Sequence, residues 1–292
     1  MSWGPQALPR CLPRYRCPVF VLRFARHNSN AQNRWLARQK NDHFTKAAKE
    51  QNFRSRAAFK LMDIDDKYRF FKKNQKVLDL GFAPGAWSQV ARNRIGTGGM
   101  VMGVDLLRCA PPKGVHSLQA NILSKKTHEL IRLCFARHVQ LNKHDELHKD
   151  HGYLQHMLEE ELNHLKETEE YKELYSQKDI SKDIERYPVD VVLSDMMANA
   201  TGVQSKDHYM SMDLCDAALI VAIDLLKPGG SFTCKLYAGS EDRMLENRLK
   251  KVFKQVDRFK PQASRNESRE LYLVGRNKKK DVDKLKVFLE DE

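Results

Sequence analysis

The chain has 292 residues, 41% of them hydrophobic, enough for one large domain or two small ones around a packed core. Its formal charge of +13 suits a polyanionic partner, because lysines and arginines that neutralise phosphates drive non-specific nucleic-acid binding. No run of about 18 apolar residues occurs, which excludes a membrane-spanning helix. Six cysteines without a C-x-x-C pair give no framework for disulfides or a metal site.

The first acidic residue is Asp42, and seven arginines precede it. An acid-free, arginine-rich start is the composition of a mitochondrial transit peptide. Residues 1–30 are therefore read as a transit peptide and residues 31–292 as the working domain. A basic arm that touches RNA is the other reading of this start.

Residues 42–73 carry helical spacing, with Phe59, Leu61, Met62, Ile64, Tyr68 and Phe70 on the apolar face and Lys60 among them as a polar exception. A short apolar strand, 76–81, runs into the turn Gly81-Phe82-Ala83-Pro84-Gly85-Ala86-Trp87, and a helix follows over 88–95. A second strand, 100–105, ends in Asp105, and a third is expected over 116–122. A fourth spans 189–195, an apolar helix covers 212–227 and stops at Pro228-Gly229-Gly230, and strands follow at 231–237 and 271–275. Strands alternating with helices predict an α/β fold with a mostly parallel sheet. Ligands bind such sheets beyond the carboxyl ends of the strands, so Asp79, Asp105 and Asp195 should converge on one crevice.

Residues 125–187 are of a different character. Between Asp145 and Glu185 stand 13 acidic residues against five lysines, and 159–173 has the spacing of a solvated amphipathic helix. The segment is expected to be a helical insertion between the third and fourth strands, either a lid or docking element or a plain surface elaboration.

Three local features carry chemistry. The glycine-rich turn lets backbone approach a ligand, and Asp105 lies where a carboxylate would accept both ribose hydroxyls of an adenosine. The turn lacks G-x-G-x-x-G and no G-K-[ST] follows, which disfavours a nicotinamide cofactor and a P-loop. On residues alone it fits a nucleoside cofactor or a tight structural turn. Lys235 alternates against Phe232, Cys234 and Leu236, and a lysine in an apolar strand is costly unless partnered; a solvated position is its ordinary reading. Glu270 opens the last strand, where a charge is ordinarily solvent-facing.

These residues resemble the FtsJ-like (RrmJ-like) ribosomal RNA 2′-O-methyltransferases, in particular their mitochondrial members. The resemblance rests on 53–61 (Phe-Arg-Ser-Arg-Ala-Ala-Phe-Lys-Leu), 77–90 through the glycine turn, Gly103-Val104-Asp105, Leu193-Ser194-Asp195-Met196, 228–235 and Ser268-Arg269-Glu270-Leu271-Tyr272, with 33–38 similar to the mitochondrial members. It implies a Rossmann-like S-adenosylmethionine-dependent methyltransferase fold with helices on both sheet faces. It implies a catalytic tetrad of Lys60, Asp195, Lys235 and Glu270. The cofactor set expected with it is Asp79, Gly81, Pro84, Gly85, Ala86, Trp87, Asp105, Asn121 and Asp195, with no metal. Mitochondrial members methylate a uridine ribose in the A-loop of large-subunit rRNA, so the expected partner is that rRNA or a pre-ribosomal particle, met by a monomer in the matrix.

Three departures stand out. Asp195-Met196-Met197-Ala198-Asn199 lacks the proline of the family's Asp-Met-Ala-Pro-Asn, which puts local loop rigidity in doubt. Asn121 stands where many members place an aspartate near the adenine; its carbonyl can still accept a bond. The acidic insertion has no counterpart in the short bacterial members.

Lys235 is the candidate general base, for which its amine must lose a proton well below the ordinary value of about 10.4. A charged Lys235 that only orients the nucleophile is the other form of that role. The RNA surface is expected at Arg54, Arg56, Lys72, Lys73 and Lys76, with the tail 276–280 contributing. An rRNA-binding assembly factor without catalysis, and a methyltransferase for transfer RNA or messenger RNA caps, are the competing readings.

Overall fold

A computed structural model describes residues 42–144, 186–265 and 267–289. The elements in chain order are α1 (His43–Glu50), α2 (Ala57–Tyr68), β1 (Lys76–Leu80), α3 (Ala86–Ile95), β2 (Met100–Asp105), β3 (His116–Gln119) and α4 (Lys125–His144). After them come β4 (Val189–Ser194), α5 (Gln204–Leu225), β5 (Leu226–Tyr237), α6 (Asp242–Val252), β6 (Phe253–Phe259), β7 (Glu270–Lys278) and α7 (Lys284–Leu289).

The strands form one seven-stranded sheet in the order β3-β2-β1-β4-β5-β7-β6. The first five are parallel, and β7 runs antiparallel between β5 and β6. Period-two alternation sorts the strand side chains onto two faces. Leu78, Leu80, Met102, Phe232, Cys234 and Leu236 pack into one apolar cluster with α5 and α6. Val77, Val101, Val191, Leu193, Tyr272 and Val274 pack into the other with α2 and α3. This three-layer arrangement is the expected α/β fold with helices on both faces.

Several boundaries differ from the sequence reading. Residues 42–73 form two helices, broken where Asn52 takes a left-handed φ of 58°. The helix predicted over 212–227 begins eight residues earlier, at Gln204, and its polar first turns give no apolar spacing to read. Pro228-Gly229-Gly230 is not a loop: β5 runs from Leu226 through it, with a register shift against β4. The strand β6 escaped notice because it is a polar edge strand, with Lys254, Gln255 and Arg258 exposed.

The insertion does not begin at residue 125. Helix α4 is the crossover between β3 and β4, and its Ile131 and Phe135 are fully buried in the core. The acidic stretch 145–185, and the transit-peptide reading of 1–30, lie outside the described residues.

Candidate active site

The chain reaches β1, moves outward to β2 and β3, then returns to place β4 on the other side of β1. That reversal leaves a crevice at the carboxyl ends of β1 and β4, the position where open α/β sheets take ligands. Gly81 leaves β1 with φ +69°, and a Cβ there would lie 2.5 Å from Met196 Cγ. Only glycine allows the turn after β1 to pass against the loop after β4. Gly85 has φ +102°, and a Cβ on it would meet Pro112 Cγ at 2.9 Å.

Asp79 is wholly buried beneath this turn. Ser88 Oγ donates to its Oδ2 at 2.6 Å, and Oδ1 has no hydrogen-bond partner. Burial, with lesser contributions from Asp195 and Asp105, pushes its carboxyl up to about 7. The three aspartates are thus grouped at one end of the sheet, but Asp79 is enclosed beneath the turn and does not face the crevice. Asp105 accepts from Ala83 N–H at 3.0 Å through Oδ2 and from Leu107 N–H at 2.9 Å through Oδ1. Each oxygen keeps a lone pair for a further donor.

The rest of the expected cofactor set is less uniform. Pro84 is exposed and follows a cis peptide bond, and its carbonyl accepts from Arg54 Nη1 at 2.8 Å. Ala86 is buried, and Trp87 is 3% exposed. The indole donates to Ala57 O at 2.8 Å and packs on Tyr272 with ring centroids 5.6 Å apart. The Trp87 ring is thus a core group behind the glycine turn. Asn121 lies beyond β3, where its Oδ1 already accepts from Leu123 N–H at 3.0 Å. The carbonyl expected to face an adenine caps the turn into α4. Leu106, Leu107 and Leu123 are exposed beside Asp105 and Asn121, an apolar border that sequence reasoning missed.

The four residues of the expected tetrad come together although they lie far apart in sequence. Lys60 Nζ meets Glu270 Oε1 at 2.6 Å, and Lys235 Nζ meets Asp195 Oδ1 at 3.0 Å and donates to Asp195 O at 2.7 Å. Strand pairing sets Tyr237 opposite Glu270 and Lys235 opposite Tyr272, which joins the two ion pairs across β5 and β7. Lys235 is 9% exposed and Glu270 8%, so neither is the solvated charge that its strand position alone suggested.

Tyr272 is the residue that sequence reasoning quoted without giving it a role. Its hydroxyl donates to Asp195 Oδ1 at 2.8 Å. Burial, with the Asp195 and Glu270 carboxylates, holds the phenol well above its ordinary range, so it remains a donor. Ser264 Oγ likewise donates to Glu270 Oε1 at 2.7 Å. Period-two alternation within Leu271-Tyr272-Leu273 could have marked Tyr272 as facing the side opposite its leucine neighbours.

Two arginines expected on the RNA surface have internal tasks. Arg54 donates to the carbonyls of Pro84, Ala110 and Pro111, tying the glycine turn to the loop after β2. Arg56 pairs with Asp42 at 2.7 Å and reaches Ala263 O. In the basic tail, Lys278 is buried and donates to Ile223 O and Leu226 O, both at 2.7 Å, which caps α5. Among the described residues no group of three or more His, Cys, Asp or Glu could hold a metal ion.

A family model for FtsJ-like methyltransferases matches residues 53–278. The protein of Saccharomyces cerevisiae named "rRNA methyltransferase 2, mitochondrial" is 56% identical, over 90% of this chain and 92% of its own length. The protein of the same name in Schizosaccharomyces pombe is 39% identical, over 82% of this chain and 93% of its own length. "Ribosomal RNA large subunit methyltransferase E" of Rickettsia typhi is 33% identical, over 91% of this chain and 97% of its own length. Among solved structures, a chain described as a ribosomal RNA methyltransferase from Plasmodium falciparum superposes with a TM-score of 0.52 at 26% identity, covering 78% of this chain and 100% of that one. With its tetrad, its glycine turn and its sheet order all inside the matched region, the chain belongs to the FtsJ-like methyltransferase family.

Proposed function

We propose that this protein transfers the methyl group of S-adenosylmethionine to the ribose 2′-oxygen of a uridine in the A-loop of mitochondrial large-subunit rRNA, in the matrix. The names of the relatives support ribosomal RNA as substrate class and the mitochondrion as compartment. The observation that carries the reading is Lys235, a buried strand lysine held by Asp195 at the lip of the crevice and joined through β7 to the Lys60–Glu270 pair.

The residues fit the proposed cofactor. Asp105 and Asp195 stand at this end of the sheet, and beneath the turn the enclosed Asp79 has a buried oxygen without a hydrogen-bond partner. Gly81 and Gly85 leave backbone room that a Cβ would fill. Asp105 keeps acceptors for ribose hydroxyls, and Leu107 and Leu123 offer apolar cover to a base. When bound, S-adenosylmethionine supplies a methyl group already activated by its positive sulfur.

The protein's own work is then placement and proton removal. Lys235 would hydrogen-bond the ribose hydroxyl and accept its proton on a free amine lone pair, leaving the oxygen to take the methyl group that the donor supplies. Asp195 is fixed by Tyr272 on one side and Lys235 on the other, so the lysine amine has one position. Lys60 and Glu270 set the other wall, with Ser264 holding the glutamate.

The test is transfer of labelled methyl by the purified protein to a large-subunit rRNA fragment, with the modified ribose mapped. Label on one uridine 2′-oxygen of the A-loop is expected. Label on a base, or none with the cofactor demonstrably bound, refutes the reading.

A further inference from the structure

The lysines expected beside Arg54 on the RNA surface lie somewhere else. Lys72, Lys73 and Lys76 line a separate open cleft of about 620 Å³, together with Arg69, Lys227 and Arg276. This cleft is at the opposite end of the sheet from the active site. At the start of β4 it takes Asp190 while the site takes Asp195, just past the strand's end, and in β5 it takes Ser231 while the site takes Lys235. In antiparallel β7 it takes Arg276 while the site takes Glu270. At about 3.3 Å per residue these offsets of four to six residues separate the two regions by roughly 13–20 Å through the sheet.

The cleft is strongly cationic. Six lysines and arginines line it and, among the described residues, Asp190 is its one lining carboxylate, 3.5 Å from Lys227; Arg276 reaches Asp257 beside it at 2.9 Å. Lys72 and Lys73 are exposed at its rim. Neutral donors and acceptors stand between the charges: Asn74, Gln75, Ser231 and Asn277. The cations come from three chain segments, 69–76, 227–231 and 276–277, and spread along an open trough. A compact anion would need them gathered on one point; an extended polyanion matches the spread.

We propose that this cleft binds the phosphate backbone of a second RNA segment, distant from the one whose ribose enters the active site, so that the substrate is a folded RNA and not an isolated loop. The inference rests on the RNA reading given above and narrows it. A single short strand in the active-site crevice leaves the far end of the sheet uncovered, whereas a folded RNA can present two segments around one protein.

The experiment compares two RNA probes, a short stem-loop carrying the target uridine and a long folded large-subunit rRNA fragment containing it. Affinity of the full chain for each is measured across a salt series, for the native protein and for Lys72→Gln/Lys73→Gln. For the long RNA the double variant is expected to lose about 1.4–1.8 from the slope of log affinity against log salt, since each neutralised phosphate contributes about 0.7–0.9. At low salt its affinity should fall at least tenfold. Affinity for the stem-loop, methyl-donor binding and melting temperature should not change. Lys72→Glu/Lys73→Glu should deepen the loss for the long RNA alone. An unchanged slope with the long RNA, or equal losses for both probes, overturns the proposal. Absence of methyl transfer to either probe, with the slope change present, would refute the catalytic reading and leave the second RNA site standing.

Discussion

Lys235 spends two of its hydrogen bonds on a single residue, the carbonyl and the carboxylate of Asp195. On the proposed chemistry Lys235→Ala removes the proton acceptor, and turnover should fall by at least about 10²–10⁴-fold while methyl-donor affinity stays near normal. Lys235→Arg places a fixed charge there and cannot accept a proton at working pH, so it should be as inactive as the alanine variant. Substantial turnover in Lys235→Arg would make the residue an orienting cation and remove the base assignment. Asp79 presents the reverse problem, a carboxyl with too few donors. Its value in the fold is about 7 against an ordinary 3.8. Between those values the native state keeps a proton that the unfolded chain has lost, so this residue makes stability decline as pH rises from about 4 to about 7 and level off above. The full effect is of the order of 4 kcal/mol, and Asp79→Asn should flatten that part of the curve in pH-dependent denaturant melts. A variant curve parallel to the native one would mean that Asp79 does not carry the penalty.

The turn between β1 and α3 is held as much from outside as from within. Arg54, in the break between α1 and α2, donates to carbonyls on both sides of the crevice mouth. Arg54→Ala should therefore weaken methyl-donor binding by about tenfold, the value of a charge-assisted hydrogen bond or two, and leave the salt slope for RNA unchanged. A reduced slope with intact donor binding would return Arg54 to the RNA surface. At this scale sequence and structure agree unevenly. The β1 turn, the acid after β2 and the lysine of β5 were readable because backbone freedom, a strand end and an apolar alternation each leave a local mark. Tyr272 left an alternation but no sign of its partner Asp195, 77 residues away, and the carbonyls that Arg54 holds are equally remote from it in sequence. Strand β6 was missed because a polar edge strand shows no alternation to read, and α4 was assigned to an insertion because the acidic stretch after it masked the buried Ile131 and Phe135.

Across the whole molecule the positive charge is divided by position. Part of it works inside the fold, as Arg54, Arg56 and Lys278 do, and part lines the cleft at the far end of the sheet. Composition showed the excess but not this division, since net charge carries no information about which cations already have partners. The arginine-rich first residues are the third share. We propose that they act as the import signal, and a reporter fused to residues 1–40 should accumulate in mitochondria; a cytosolic reporter would refute that.

Strand β7 is the last strand of the sheet in sequence, yet it sits between β5 and β6 and brings Glu270 and Tyr272 to the active site. A ribosome synthesising this protein must therefore release the chain through residue 278 before the sheet can close and the acid, the phenol and the lysine can meet. Nascent chains halted short of residue 278 should have the glycine turn and the aspartates but no working centre. Competence to modify RNA is thus tied to synthesis of the chain through residue 278, and copies halted before it would be inert.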